Sequence, residues 1–205
     1  MNGNATAAII AIIVGLVVGA TGGYAIGAMN HKDDNTNATT TAKTETKEGV
    51  MVGGALMVRD KDIVDNAVQA DNVTTVVSLV KLAGLVDTLK SEGPFTVFAP
   101  NNDAFAKLPA ATVADLQKPE NVDTLKKILT YHVVPGTYTS AALKVMAEKG
   151  ETVTTVEGET LSFKLDGGNV WVVDANGGTS MVATADVISS NGVTHVIDSV
   201  LMPKS

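Results

Sequence analysis

The 205-residue chain has no cysteine, a formal charge of −7 and only 4% aromatic residues. The missing thiols exclude disulfides, thiolate metal sites, cysteine nucleophiles and a lipid-modified cysteine anchor. No basic cluster or basic–aromatic stripe is present, which argues against nucleic acid as a partner, and few rings are available for bases to stack on.

Residues 1–6 form a short start without Lys or Arg. From Ala7 to Ala28 follow 22 uncharged residues, AAIIAIIVGLVVGATGGYAIGA. About 20 apolar residues cross a bilayer as a helix, so residues 7–28 are expected to attach the chain to a membrane. The long apolar run and the uncharged start favour an uncleaved anchor. The small residues Ala25, Gly27 and Ala28 would also suit a signal peptidase, so both fates stay open. The flanking charges, Lys32 against Asp33 and Asp34, lean slightly towards a cytoplasmic C-terminus. Gly15, Gly19, Gly23 and Gly27 recur every four residues and share one helix face. Two readings stand: a packing face for a homo-oligomer, or the ordinary abundance of small residues in export segments.

Residues 29–49 are expected to be a flexible stalk. Its Thr- and Asn-rich run from His31 to Gly49 lacks the apolar surface to repay ordering, and extended it reaches up to about 60 Å. Asn4, Asn37 and Asn72 open glycosylation sequons, which are weak signals.

The globular head is expected over residues 50–205. Ile63, Ala67 and Ala70 predict a short helix capped by Asp60 or Asp62. A second helix is predicted over Thr74–Ala83 with Val76, Val77 and Val80 facing inwards, and a third turn over Leu85–Lys90. Phe95–Ala99 reads as a strand. Asn101 or Asn102 caps a helix holding Phe105 and Leu108; Asn121–Val133 and Ser140–Ala147 read as further helices. From Glu151 the period changes to two. Val153, Leu161, Phe163 and Leu165 alternate with polar residues, and Asp166-Gly167-Gly168-Asn169 reads as a hairpin turn before Val170–Val173. Val182–Ile188 and Val193–Leu201 complete the strands. Helices first and antiparallel strands second give an α+β class.

The usual catalytic motifs are missing. A hydrolase would have to pair His195 with Asp198 and recruit Ser189 or Ser199, yet residues three apart in a strand point to opposite faces. A metal held by His132 and His195 requires the fold to join them. Asn101-Asn102-Asp103 has too few carboxylates for calcium and is better read as helix capping. No enzyme activity, cofactor or metal is expected.

Three segments resemble the fasciclin (FAS1) family. They are Phe95-Thr96-Val97-Phe98-Ala99-Pro100-Asn101-Asn102-Asp103-Ala104-Phe105, Tyr131-His132-Val133-Val134-Pro135-Gly136, and Asn191 to Pro203, which includes Gly192, His195, Val196 and Asp198. Their order and spacing match, as does the opening Asp62-Ile63-Val64, so the resemblance covers about residues 60–203 and is to single-domain bacterial secreted or surface members, the head being secreted if the N-terminal segment is cleaved. It implies a wedge of two β-sheets flanked by helices, a location outside the cytoplasm and adhesion to cells or matrix. The signature residues, being mostly apolar, are expected to maintain the fold. Animal members carry an integrin-recognition motif where this chain has Thr184-Ala185-Asp186-Val187-Ile188. Only the Asp and the aliphatic character remain, so integrin binding is not carried over, and Asp186, Val187 and Ile188 stand as candidate adhesion contacts. The partner is expected to be a cell-surface protein, a polysaccharide or a second copy of the chain. The competing reading is a periplasmic or surface module binding a small apolar ligand or lipid between helices and sheet.

Overall fold

The structure, a computed structural model, describes residues 48–204. The expected span over 7–28, its four glycines and nearly all of the expected stalk lie outside the described residues. Among the described residues no helix is long and apolar enough to cross a membrane.

The head begins with a hairpin that no periodic signal in the sequence marks. Strand β1 (Gly49–Val52) pairs antiparallel with β2 (Ala55–Val58) across Gly53-Gly54. The helical layer follows: α1 (Ile63–Ala67), α2 (Thr74–Leu82) and α3 (Val86–Lys90). Asp62 caps α1 through the Asp65 amide at 2.7 Å. In α2 the deeply buried residues are Val76 and Leu79, whereas Val77 and Val80 are only half-buried.

Strand β3 (Phe95–Pro100) leads to α4 (Asn102–Ala106), whose cap Asn101 accepts the Ala104 amide at 2.7 Å. Helix α5 (Ala110–Leu116) was not anticipated, because its sequence buries only Leu116. Helix α6 (Val122–Tyr131) is shorter than its apolar stripe. Val133 belongs instead to strand β4 (Val133–Pro135), which pairs with β3. After α7 (Ser140–Lys149) come β5 (Thr152–Thr154), β6 (Thr160–Asp166), β7 (Asn169–Val173), β8 (Thr179–Ser189) and β9 (Gly192–Ile197). The β6–β7 turn is the predicted two-residue loop, with φ of 57° at Gly167 and 82° at Gly168.

The strand order is β4-β3-β9-β8-β7-β6-β5. It corrects the expectation of an antiparallel set of strands. β3 lies among the helices in sequence yet pairs parallel with β9, Phe98 opposite His195. Strand β8 belongs to both halves of the sheet: Thr179–Met181 pair with β7, and Val182–Ser189 pair with β9 through irregularities between Val182 and Val187. Such extra residues bend and twist a strand. Leu165, expected inside, is 38% exposed near the β6–β7 turn.

The alternation of β3 divides the interior. Val97 and Ala99 pack with Ile63, Val64, Leu89 and Val133 on one side. Phe98 points the other way, towards Tyr131, Leu143, Leu161, Phe163, Val172 and Ile197. Every residue of β9 is buried, as a parallel central pair covered on both faces requires.

Candidate functional site

A concavity among the described residues lies where strand ends meet helix ends. It is a cleft of about 700 Å³ bordered by Asp62, Lys90, Ser91, Glu92, Gly93, Pro94, Thr137, and Ile188 through Val193. Its walls are fixed by Asn191, in the two-residue turn between β8 and β9. The Asn191 Oδ1 accepts the Ile63 amide at 3.0 Å, and its Nδ2 donates to the carbonyls of Leu89 at 2.8 Å and Ser91 at 3.1 Å. One side chain therefore ties the start of α1 and the end of α3 to the hairpin turn. Glycine is required on both sides of the junction. A Cβ on Gly192 would lie 2.0 Å from the Phe95 carbonyl oxygen, and one on Gly93 would lie 2.1 Å from that of Asn191. The role of Asn191-Gly192 in the signature is thus backbone contact rather than turn chemistry alone. Alongside, Asn66 bridges the Val58 backbone and the Ser189 hydroxyl at 2.9 Å, a buried polar network the sequence reading missed.

At the edge of this cleft the chain makes a second junction. Ile188 lines the cleft and is half-buried; Val187 is 1% exposed and packs in the core. Of the three candidate contacts, Val187 therefore offers no surface to a partner. Asp186 has φ of 58°, the left-handed region that non-glycine residues seldom occupy. Its carboxylate accepts the Ser140 amide at 2.7 Å and the Ser140 hydroxyl, capping α7. Its own amide donates to His195 Nδ1 at 3.3 Å, while His195 Nε2 donates to the Tyr138 carbonyl at 2.7 Å. These two contacts define the neutral Nε2–H tautomer. Burial pushes the His195 pKa down, although Tyr138 and Asp186 pull it up. The ring also stacks on Phe98 with centroids 5.6 Å apart.

His132 lies elsewhere, at the end of α6. Its Nδ1 donates to the Ile128 carbonyl at 2.8 Å and its Nε2 accepts the Leu201 amide at 3.0 Å. Burial lowers its pKa to about 4. The neighbouring Tyr131 is fully buried. Its hydroxyl accepts the Ala175 amide at 2.9 Å and donates to the Thr160 carbonyl at 3.3 Å, and burial raises its pKa to about 12. The two histidines thus bind different backbone groups.

The remaining signature residues are distributed through the fold. Val97, Pro100, Phe105 and Val196 are buried, Phe95 and Gly136 half-buried, and Asp103 and Pro135 exposed. Asp198 accepts the Met181 amide at 2.8 Å and pairs with Lys107 at 3.1 Å. None of the His195 ring bonds goes to Asp198, Ser189 or Ser199. Among the described residues no group of three or more His, Cys, Asp or Glu side chains is placed to hold a metal. Asn101 and Asn102 are occupied in capping and in bridging to Thr74 and Asp71.

Two apolar crevices lie beneath α2 and α3, sharing Val76, Val80, Leu89, Val97 and Ala99. They hold about 70 Å³ and 50 Å³. Sites for small ligands usually offer at least about 300 Å³. The geometry therefore does not favour a bound apolar molecule between helices and sheet.

The fold and the three signature segments place the chain among fasciclin domains. The Fasciclin domain model matches residues 71–203. The chain belongs to the fasciclin domain family. Protein sll1483 of Synechocystis sp. is 49% identical over 158 residues, covering 77% of this chain and 82% of that protein. Immunogenic protein MPB70 of Mycobacterium bovis is 43% identical over 119 residues, covering 58% of this chain and 54% of that one. In architecture the head is similar to a FAS1 domain pair from the insect cell adhesion molecule Fasciclin I. The TM-score is 0.65 at 22% identity, over 72% of this chain and 52% of that structure.

Proposed function

We propose that this chain is a membrane-anchored adhesion module whose fasciclin head lies outside the cytoplasm. The observation that carries the reading is the family match over residues 71–203, supported by a fold shared with a domain pair from a cell adhesion molecule. Residues 7–28 serve as the anchor and the Thr/Asn-rich segment as the stalk. The head binds through its surface and performs no chemistry; both buried imidazoles are engaged with backbone groups. Contact with a partner centres on the cleft beside Ile188, with Asp186 fixing the shape of that rim. A single small domain binds weakly, and clustering along the face formed by Gly15, Gly19, Gly23 and Gly27 multiplies it. Linking weak sites raises overall binding by about 10²–10⁴-fold without new contacts.

The test compares soluble head with the same head displayed densely on beads. Beads are expected to aggregate or bind cells, while monomer binds only at high concentration. A monomer that bound one small ligand tightly, with inert beads, would replace adhesion by ligand capture.

A further inference from the structure

We infer that the cleft at the β8–β9 turn is a saccharide site, taking a short run of neutral sugar residues. The inference rests on the adhesion reading and specifies its partner.

The ligand class follows from what the cleft has left to offer. Three main-chain amides around it are already paired: Phe95 with the Asn191 carbonyl at 3.1 Å, Gly136 with Pro94 at 2.8 Å, and Ser190 with Lys61 at 2.8 Å. The concavity is made of strand ends and helix ends rather than the edge of a strand, so it gives no ladder for a peptide strand to extend. The one cation in the lining, Lys90, is compensated by Asp62 at 3.3 Å and by Asp65. An anionic polymer would therefore meet no free positive charge. Among the described residues no aromatic ring lines the cleft, which removes the stacking that nucleobases and aromatic ligands use.

The groups that stay free are of another kind. Within the described residues the Ser190 and Thr137 hydroxyls and the Glu92 carboxylate make no hydrogen bond or ion pair. A hydroxyl both donates and accepts, and a carboxylate accepts from two neighbouring donors. That set complements the vicinal hydroxyls of a neutral sugar. Pro94 and Ile188 supply apolar surface for the C–H faces of the ring. The volume of about 700 Å³ has room for a short oligosaccharide. The walls are held by the three bonds of Asn191, so little ordering remains to oppose binding. Without an aromatic platform each site binds weakly, which suits recognition of a repeating polymer by many heads.

The experiment applies labelled full-length chain, in detergent micelles, to an array of neutral, acidic and amino-sugar oligosaccharides. Wild type is expected to be retained on neutral oligosaccharides. Ser190→Trp, which fills the cleft from an exposed position, is expected to weaken retention at least about tenfold. Glu92→Gln and Thr137→Ala, both at exposed positions, are expected to weaken it by about threefold to tenfold and keep the test open should Ser190→Trp not fold. Retention only on acidic oligosaccharides, a blank array, or neutral binding unchanged by all three variants overturns the inference. If dense beads still adhere while the array is blank, the saccharide assignment falls and adhesion stands. If both are lost, the adhesion reading falls with it.

Discussion

The imidazole of His195 holds the backbone of Asp186 in its left-handed conformation: Nδ1 accepts the Asp186 amide at 3.3 Å, across a bulge in β8 where φ is 58°. The Asp186 carboxylate then reaches the start of α7 at Ser140. A signature histidine, a strained bulge and a helix cap are thus one unit at the rim of the cleft.

Replacing Asp186 by Ala is expected to cost about 2–3 kcal/mol, because it removes both Ser140 contacts and puts in the left-handed region a residue that tolerates it less well than Asp. Asp186→Asn keeps the tolerance for that conformation and an acceptor oxygen, and is expected to cost about 1 kcal/mol. Urea unfolding of the two variants checks the order; equal losses would show that the backbone conformation does not matter.

Acidification is expected to destabilise the head through its two buried histidines. An unfolded histidine titrates near 6.5, whereas burial holds His132 down to about 4 and shifts His195 in the same direction. Between those values the unfolded chain takes up protons that the folded one refuses, so stability falls as pH falls from about 6.5 towards 4. The full contribution of His132 is about 3 kcal/mol, reached below its folded pKa. Burial pushes the Asp198 carboxyl up, but the Met181 amide and Lys107 outweigh it and hold the pKa below 3.8. The stability from Asp198 is therefore present above 3.8 and lost at lower pH, in a separate window. His132→Gln is expected to be less stable at pH 7.5 and to lose less between pH 6.5 and 4.5. Urea midpoints across that range decide it, and an unchanged slope would rule out His132 as the source.

Asn191→Ala removes three hydrogen bonds that cross from the β8–β9 turn to α1 and α3. A loss of about 2–4 kcal/mol is expected, with faster hydrogen exchange at the Ile63 amide than in the β3–β9 pair. Uniform loss of protection would instead show that the helices and the sheet open together.

Much of this fold was legible because local signals and burial agree. Of the alternatives Asp60 or Asp62 and Asn101 or Asn102, Asp62 and Asn101 cap the helices, and the Gly167-Gly168 turn closes its hairpin. The α+β class follows from the same periodicities. The parallel pairing of β3 with β9 was not legible, since their partners, Phe98 and His195, stand 97 residues apart in number and no local pattern records it. Helix α5 and the β1–β2 hairpin were missed because each buries few residues and so lacks a period to read. Leu165 alternates correctly but lies beside the turn and is 38% exposed, while its cross-strand partner Val170 is buried. For the site, the sequence marked Asn191, Gly192 and His195 without showing that Asn191 reaches three backbone groups or that His195 serves Asp186. The cleft itself is assembled from four separate stretches of chain, so no single motif could announce it.

The account rests on a head that stands outside the membrane and attaches cells. The direct measurement is attachment of intact cells carrying the full-length chain, before and after protease is added from outside. The account predicts that the head is cut away, a membrane-held stub remains and attachment is lost. A head protected until the membrane is broken, or attachment that continues after the head has been removed, would contradict it.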